Sequence, residues 1–316
     1  MPSRCNVGLV GAGNVAARHA DVLAEFPDVR LAAVTDLSLE RAAGLAERHG
    51  AAVYPHHGDM LERERLDAVY ICLPPFAHGP VERAVIEAGL PFFVEKPIAI
   101  DLGTAESIAA LARSRGVLSA VGHQWRYLDV VQRARELLDG RAVRLALGHW
   151  LDKVPPVDWW GRRDGSGGQV VEQAAHVIDL ARLLVGEVAA VRAVESEAVA
   201  PGGDVAAATV AALRFENGAV GSLAATCLLG WKHRAGLEVY ADGLALEISE
   251  TSLRVFDGDG EPELVEDEGA AKRRVDRAFV DAVLGIGNDV RTDYEDALRT
   301  HRVACEIAAS AREVAA

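Results

Sequence analysis

The stretch Gly11-Ala12-Gly13-Asn14-Val15-Ala16 constrains this chain more than any other, because it joins an apolar run at 6–10 to a helical pattern at 15–25. In a G-x-G-x-x-A junction the first glycine makes a tight turn, the second lets a pyrophosphate approach the backbone, and the last small residue packs helix against strand. The N–H groups and the dipole at the helix start then face the phosphates. Taken alone, the pattern also fits an ordinary glycine-rich strand-to-helix turn. Its place between a strand and a helix favours dinucleotide binding.

Asp36 follows the second expected strand, twenty residues after Ala16. An acidic side chain there accepts hydrogen bonds from both hydroxyls of an adenosine ribose and repels a 2′-phosphate. NAD is therefore expected in preference to NADP, with Arg41 near enough in sequence to work against that preference. Helix capping and a solvated helix face are the plainer roles open to Asp36 and Arg41. Gly11, Gly13, Asn14, Val15, Asp36 and Arg41 form the first set of candidate cofactor-binding residues.

Short β-branched runs alternate with helical patterns over the first 120 residues, as a parallel sheet with helical crossovers requires. Strands are expected at 6–10, 30–35, 68–72, 92–94 and 118–121, and helices at 15–25, 38–49, 79–88 and 102–115, with Ser38 as an N-cap. After Gly122 the pattern changes. A helix at 130–138, a strand at 142–151, a Gly- and Trp-rich connection at 155–168 and a helix at 169–184 precede successive strands from 188 to about 256. Turn signals such as Glu216-Asn217-Gly218 and Ala241-Asp242-Gly243 make that sheet largely antiparallel. The segment 257–269 is acidic and Gly-rich and reads as a surface loop, and a last helix is expected from a capping box at Thr292 and Glu295 to about 313. The fold class is α/β: a Rossmann-type doubly wound parallel sheet in 1–122, then an α+β domain with a large, mostly antiparallel sheet in 123–316.

With 316 residues, half of them apolar, the chain can bury a core in each domain. The net charge of −14, with no basic tract, argues against nucleic acid or an anionic membrane as partner. Cys5, Cys72, Cys227 and Cys305 are scattered without CxxC spacing, so neither a zinc knuckle nor a disulfide framework is expected, and a reducing cytoplasm fits best. The start, Met1-Pro2-Ser3-Arg4, runs into an apolar stretch too short for a signal sequence or a membrane span.

Further motifs bring a family into view. They are GLVGAGNVAARH at 8–19, Cys72-Leu73-Pro74-Pro75 with His78, Glu95-Lys96-Pro97, GHQWRY at 122–127 and GGQVVEQAAHVIDLARLL at 167–184. Together, and in this order, they resemble the glucose-fructose oxidoreductase and inositol dehydrogenase family (Gfo/Idh/MocA). The resemblance implies an N-terminal dinucleotide-binding domain and a C-terminal domain whose open sheet makes a dimer or tetramer contact. It also implies an NAD(P)-dependent dehydrogenase or ketoreductase acting on a polyol, sugar or sugar derivative. Relatives of this kind that oxidise a sugar transiently, cleave or eliminate a substituent and reduce it again supply a redox-neutral alternative. A non-catalytic NAD-binding regulator is a third.

Hydride transfer at a carbinol carbon needs a group that takes or gives the hydroxyl proton. Lys96 follows the strand at 92–94 and so lies at the carboxyl end of a parallel sheet, where ligands of this architecture bind. A solvated lysine paired with Glu95 is what the residues alone would suggest. The resemblance instead places Lys96 against both the nicotinamide ribose and the substrate. Glu172 and His176 are four apart in an expected helix and so would share one face. Spacing alone also fits a surface pair or a core histidine; the resemblance makes His176 the leading acid–base residue, with Asp179 at the usual distance. Glu172 departs from the commoner Asp, and Gln173-Ala174 from the frequent Ile-Gly, which leaves the substrate open. Glu172 is expected to accept a substrate hydroxyl. The resemblance adds Leu73, Pro74, His78, Glu95, Lys96 and Gln124 to the cofactor set. Trp125 and Arg126 are candidates for substrate contact, Trp159 and Trp160 for packing, and no metal is expected. His56, His57 and His233 carry no motif and are expected at the surface.

Overall fold

The computed structural model describes residues 4–315; Met1–Ser3 and Ala316, and with them the first three residues of the expected N-terminal run, lie outside the described residues. The chain divides into two compact units, one made of Met1–Ala99, Gly103–Gly122 and Lys272–Leu298, the other of Ile100–Leu102, His123–Ala271 and Arg299–Ala316.

The first unit alternates strand and helix: β1 (Cys5–Val10), α1 (Asn14–Ala24), β2 (Val29–Thr35), α2 (Leu39–His49), β3 (Ala52–Tyr54), α3 (His57–Arg63), β4 (Ala68–Ile71), α4 (Pro80–Glu87), β5 (Phe92–Val94), α5 (Leu102–Arg115) and β6 (Ser119–Val121). The strands form one sheet in the order β3-β2-β1-β4-β5-β6, every pair parallel. Helical crossovers cover such a sheet on both faces, which is why β1, β4 and β5 are apolar and buried nearly throughout rather than alternating. The strand order reverses between β1 and β4, so the turns leaving these two strands flank the crevice where ligands of open α/β sheets bind. Ser38 caps α2 as expected: its hydroxyl accepts from the Arg41 N–H at 3.3 Å, and Gly50 closes the helix in the left-handed region.

The second unit contains α6 (Asp129–Leu138), β7 (Val143–Leu151), the short helices α7 (Arg163–Ser166) and α8 (Gln169–Glu172), α9 (Ala175–Leu184), and then β8 (Val188–Glu195), β9 (Ala208–Phe215), β10 (Val220–Thr226), β11 (Arg234–Ala241), β12 (Leu244–Ser249), β13 (Ser252–Phe256) and β14 (Glu263–Glu266). Two more helices follow, α10 (Ala271–Leu284) and α11 (Tyr294–Ala315). The eight strands run β14-β13-β12-β11-β7-β10-β9-β8, antiparallel except for the β7–β10 pair. Burial alternates strictly along β9, so one face of the sheet is covered and the other open. Helix α9 lies close on the covered face, since a Cβ at Gly148 of β7 would stand 2.7 Å from Val177.

The structure departs from the sequence reading in six respects. The short β3 and α3 escaped notice because three and seven residues give too little periodicity to read. The expected loop at 257–269 contains β14, an exposed edge strand rich in Glu. Helix α10 went unread between charged residues, yet its Phe279 packs edge-on against Tyr70 of β4 and Phe93 of β5 at 5.5 and 5.8 Å between ring centres. That packing places Lys272–Leu298 in the first unit, whereas the sequence reading made one cut after Gly122. At α11 the side-chain cap is Asp293, whose Oδ1 accepts from the Asp296 N–H at 2.7 Å, and not the Thr292–Glu295 box. The expected single helix over 169–184 is two, broken at Gln173-Ala174. Among the described residues no helix is long and apolar enough to cross a membrane.

Candidate functional site

Each unit carries its own cluster of candidate residues. In the first, the chain leaves β1 through Gly11, which lies at φ +99° and whose Cβ, if present, would stand 2.2 Å from the Cys72 carbonyl; only glycine fits. At Gly13 an added Cβ would meet nothing within 4 Å, so the bare backbone borders open space at the start of α1. Asn14 and Val15 are exposed there while Ala16 is buried against the sheet. The first turn of α1 carries no acidic residue, and its N-cap, Gly13, has no side chain to occupy the helix N–H groups. These features suit an anionic ligand.

Asp36 is joined to this turn directly. Its Oδ2 accepts from the Ala12 N–H at 2.7 Å, and its Oδ1 accepts from the Ser38 N–H at 2.7 Å and from Arg41 Nη2 at 3.0 Å. Burial favours the neutral acid, but the Ser38 and Ala12 amides, aided by Arg41, hold the carboxyl below its usual range. The Arg41 side chain is 62% exposed, so its guanidinium sits at the surface beside the carboxylate.

At the end of β5 the Lys96–Pro97 peptide is cis and Lys96 is half-buried. Glu95, taken from the sequence as a cofactor residue, is 7% exposed. Its Oε1 accepts from Arg18 Nη2 at 3.0 Å and lies 2.9 Å from His19 Nε2, and its Oε2 lies 3.1 Å from the Lys96 amide. Leu73 and Pro74 are half-buried on the chain leaving β4. His78 is buried, with Nδ1 against Glu82 and Nε2 3.1 Å from the Leu73 carbonyl, so its ring ties the Leu73-Pro74 segment to α4.

In the second unit His176, at the start of α9, is 4% exposed and lies in an aromatic stack. Trp125 is nearly parallel to it (5.6 Å between ring centres, 8° between planes), Trp150 of β7 lies at 6.1 Å and 25°, and the His123 ring meets it edge-on at 5.9 Å. Lys232 Nζ stands 5.4 Å from the Trp150 ring centre. Glu172 Oε2 accepts from Trp160 Nε1 at 2.7 Å. The helix break at Gln173-Ala174 removes the continuous helical face on which the sequence reading placed Glu172 and His176.

Arg126, a candidate for substrate contact, is 8% exposed and bound through two hydrogen bonds to Asp179, Nε to Oδ2 at 2.8 Å and Nη2 to Oδ1 at 2.7 Å. Burial raises the Asp179 pKa, but His123, Arg126 and the Thr300 hydroxyl together hold it below the usual carboxylate range. Gln124 is half-buried beside this group, in the 3-10 turn Gln124–Tyr127. Trp160 is fully buried among Ala200, Val205 and Cys227, so the packing role expected of it is joined to a hydrogen bond that sequence could not show. Trp150, His123 and Lys232 were not singled out from the sequence. Trp150 could have been found from the inward alternation of β7, and His123 from its place inside GHQWRY; nothing local marks Lys232. His56 and His233 are exposed and His57 is half-buried.

Comparison with known proteins gives concordant matches to both units. Residues 5–123 match a family model described as the oxidoreductase family, NAD-binding Rossmann fold (Gfo/Idh/MocA), and residues 131–247 match the Gfo/Idh/MocA C-terminal domain. The chain is 28% identical over 248 residues to an inositol 2-dehydrogenase of Rubrobacter xylanophilus, covering 76% of this chain and 70% of that protein. It is 32% identical over 178 residues to a dTDP-3,4-didehydro-2,6-dideoxy-alpha-D-glucose 3-reductase of Streptomyces antibioticus, covering 54% of each. The chain spans between about half and two thirds of the length of several curated relatives it matches, from 54% to 66%. In fold it matches a levoglucosan dehydrogenase solved with NADH, with a TM-score of 0.90, 22% identity and 98% of each chain covered.

Proposed function

Because this chain belongs to the Gfo/Idh/MocA family of NAD-binding Rossmann-fold oxidoreductases, we propose that it transfers hydride between a nicotinamide dinucleotide and a carbinol or carbonyl carbon of a cyclic polyol, sugar or sugar derivative. The observation that carries this reading is the Gly11–Asp36 geometry: an open helix start, a glycine with free space at its Cα, and a carboxylate fixed to the same turn through the Ala12 amide. Gly11, Gly13, Asn14 and Val15 would hold the pyrophosphate on backbone N–H groups, and Asp36 would accept both hydroxyls of the adenosine ribose. A 2′-phosphate would meet the Asp36 carboxylate, which favours NAD, although Arg41 beside it could accept that phosphate. Leu73, Pro74 and Gln124 would border the nicotinamide half, and His78 would act by holding Leu73.

When bound, the nicotinamide supplies the hydride acceptor or donor. The chain's own residues handle the proton and the orientation. His176 is assigned the acid–base role at the substrate oxygen and Lys96 the role of polarising that oxygen or serving as alternate base. Glu172, steadied by Trp160, is assigned to a substrate hydroxyl. Trp125 and Trp150 hold the His176 ring in one plane and exclude water from it, and Arg126 acts as a support for this turn through Asp179. Relatives named for inositol and for a deoxyglucose nucleotide support a cyclic polyhydroxylated substrate.

Copies of the chain are inferred to associate through the open face of the eight-stranded sheet, where Val194, Val210 and Val220 are each about half exposed, at 51%, 50% and 51%. Light scattering reads that directly. The catalytic reading is tested by screening cyclitols, aldoses, amino sugars and sugar nucleotides with NAD and NADP and following reduced nicotinamide by absorbance. Sustained NADH formation with one class is the expected result. Tight NAD binding with no turnover across the screen would remove the dehydrogenase assignment, and cleavage of a glycoside with NAD regenerated would replace it by redox-neutral chemistry.

A further inference from the structure

Beneath the Glu95-Lys96-Pro97 segment a chain of charged groups runs from Glu95 into the interior of the first unit. His19, on α1 just beyond the glycine turn, is 1% exposed, and each ring nitrogen meets a carboxylate: Nδ1 lies 2.7 Å from Asp276 Oδ1 and Nε2 lies 2.9 Å from Glu95 Oε1. Asp276 is 1% exposed and comes from α10, 257 residues further along the chain. Arg18 Nη2 reaches the same Glu95 oxygen at 3.0 Å, while the second oxygen, Oε2, takes the Lys96 amide at 3.1 Å. The side opposite is closed by Gly122, where a Cβ would stand 2.6 Å from the Glu95 carboxylate. Glu95 is thereby confined on every side, and its confinement is passed to Lys96 through the Lys96 backbone.

We propose that His19 and Asp276 are positioning residues for Lys96: the Asp276–His19–Glu95 relay fixes the Glu95 carboxylate, and that carboxylate fixes the backbone of Lys96 relative to the phosphate-binding helix. The role assigned to Lys96 rests on the hydride-transfer reading above, whereas the relay itself does not. Two carboxylates bridged by one imidazolium, with the Arg18 guanidinium on Glu95, form a charge-balanced unit only while the ring carries its proton. Burial lowers the His19 pKa, but Asp276 and then Glu95 outweigh it and push it up to about 9. The other charged or titratable groups facing this unit are Arg18 on α1, Tyr70 and Cys72 on and after β4, and Lys96 itself. A ring bridging two carboxylates is more than filler. An apolar side chain would fill the same space beside Tyr70 and Phe93, which stand 5.4 and 5.0 Å from the ring centre, without fixing Glu95.

The experiment uses His19→Gln and the nearly isosteric Asp276→Asn in the full chain. Without any substrate, the ring ¹⁵N signals that disappear in His19→Gln identify His19, and they are expected to stay in the imidazolium form well above neutral pH and to lose that form at lower pH in Asp276→Asn. Acylation of amines followed by peptide mass spectrometry is expected to change at Lys96 by threefold or more in Asp276→Asn, with Lys153 and Lys272 unchanged. With a substrate from the screen, each variant is expected to lose tenfold or more in kcat, with the Kd for NADH, read by fluorescence, and the substrate KM each moving less than threefold. The double variant is expected to lose no more than the worse single one. Unchanged labelling at Lys96 in a folded Asp276→Asn protein, or full kcat in either variant, overturns the positioning role. Failure of the substrate screen leaves the labelling and ¹⁵N results to decide it separately.

Discussion

The two clusters hold their central side chains by opposite means. Around Glu95 and Lys96 the first unit uses charge: Arg18, Glu95, His19 and Asp276 lie within 3.0 Å of one another in successive pairs, three of them under 10% exposed. Around His176 the second unit uses ring faces, Trp125, Trp150 and His123. Charge-assisted bonds fix direction strongly but depend on the protonation of both partners, whereas stacked rings fix a plane through contact of their faces. The comparison teaches that one half of the proposed chemistry should respond to pH through the charged groups that support it, and the other to the loss of a packed ring.

The largest expected effects are at the two centres. Lys96→Ala and His176→Ala should each lower hydride transfer by roughly 100- to 10,000-fold, the usual contribution of a positioned proton-transfer group. His176→Ala should leave NADH affinity within about threefold, since it belongs to the aromatic cluster. Turnover near wild type in His176→Ala would break the comparison at its centre.

Next comes the pH dependence of stability. The His19 pKa is raised from 6.5 to about 9 in the folded chain. Its contribution is therefore full below about pH 6.5 and is lost as pH rises through about 9, and such a shift corresponds to something on the order of 3 kcal/mol. Thermal melts across this window should show the wild-type protein losing stability faster than His19→Gln; parallel profiles would show that the charge relay carries no such linkage.

A smaller effect is expected from Trp160→Phe, which keeps most of a fully buried ring but removes the donor to Glu172. Denaturant unfolding should show a loss of about 1–3 kcal/mol, accompanied by a several-fold rise in substrate KM. A KM unchanged at that cost in stability would make Trp160 a packing residue alone. The smallest effect is at Asp36: Asp36→Ala should weaken NAD by roughly tenfold, about 1.4 kcal/mol, and narrow the ratio of NAD to NADP affinity. The ratio is the informative quantity, because losing the acceptor for the Ala12 and Ser38 amides disturbs the turn for both cofactors.

Much of this molecule was legible in one dimension. The glycine turn, Asp36, the helix at Leu102–Arg115 and the strand at Phe92–Val94 stand where the sequence reading placed them, because turn chemistry and hydrophobic period act over a few neighbouring residues. The eight-stranded sheet was expected as mostly antiparallel for the same reason, from turns that now show Gly218 and Gly243 at φ +86° and +71°. Where local signals were weak, reading failed: α10 is amphipathic but heavily charged, and the break at Gln173-Ala174 carries neither Gly nor Pro.

Sequence by itself determined the class of fold, the phosphate-binding turn and, through family motifs, the residues proposed for the chemistry. Tertiary structure decided what each of those residues touches. That Asp276 meets His19 across 257 residues, that Arg126 is engaged by Asp179, and that Glu172 bonds Trp160 while His176 stacks on Trp125 are consequences of packing between distant segments. A side chain's partners depend on which surfaces the fold brings together, and that information is shared among all the elements that form the core rather than written in any one of them.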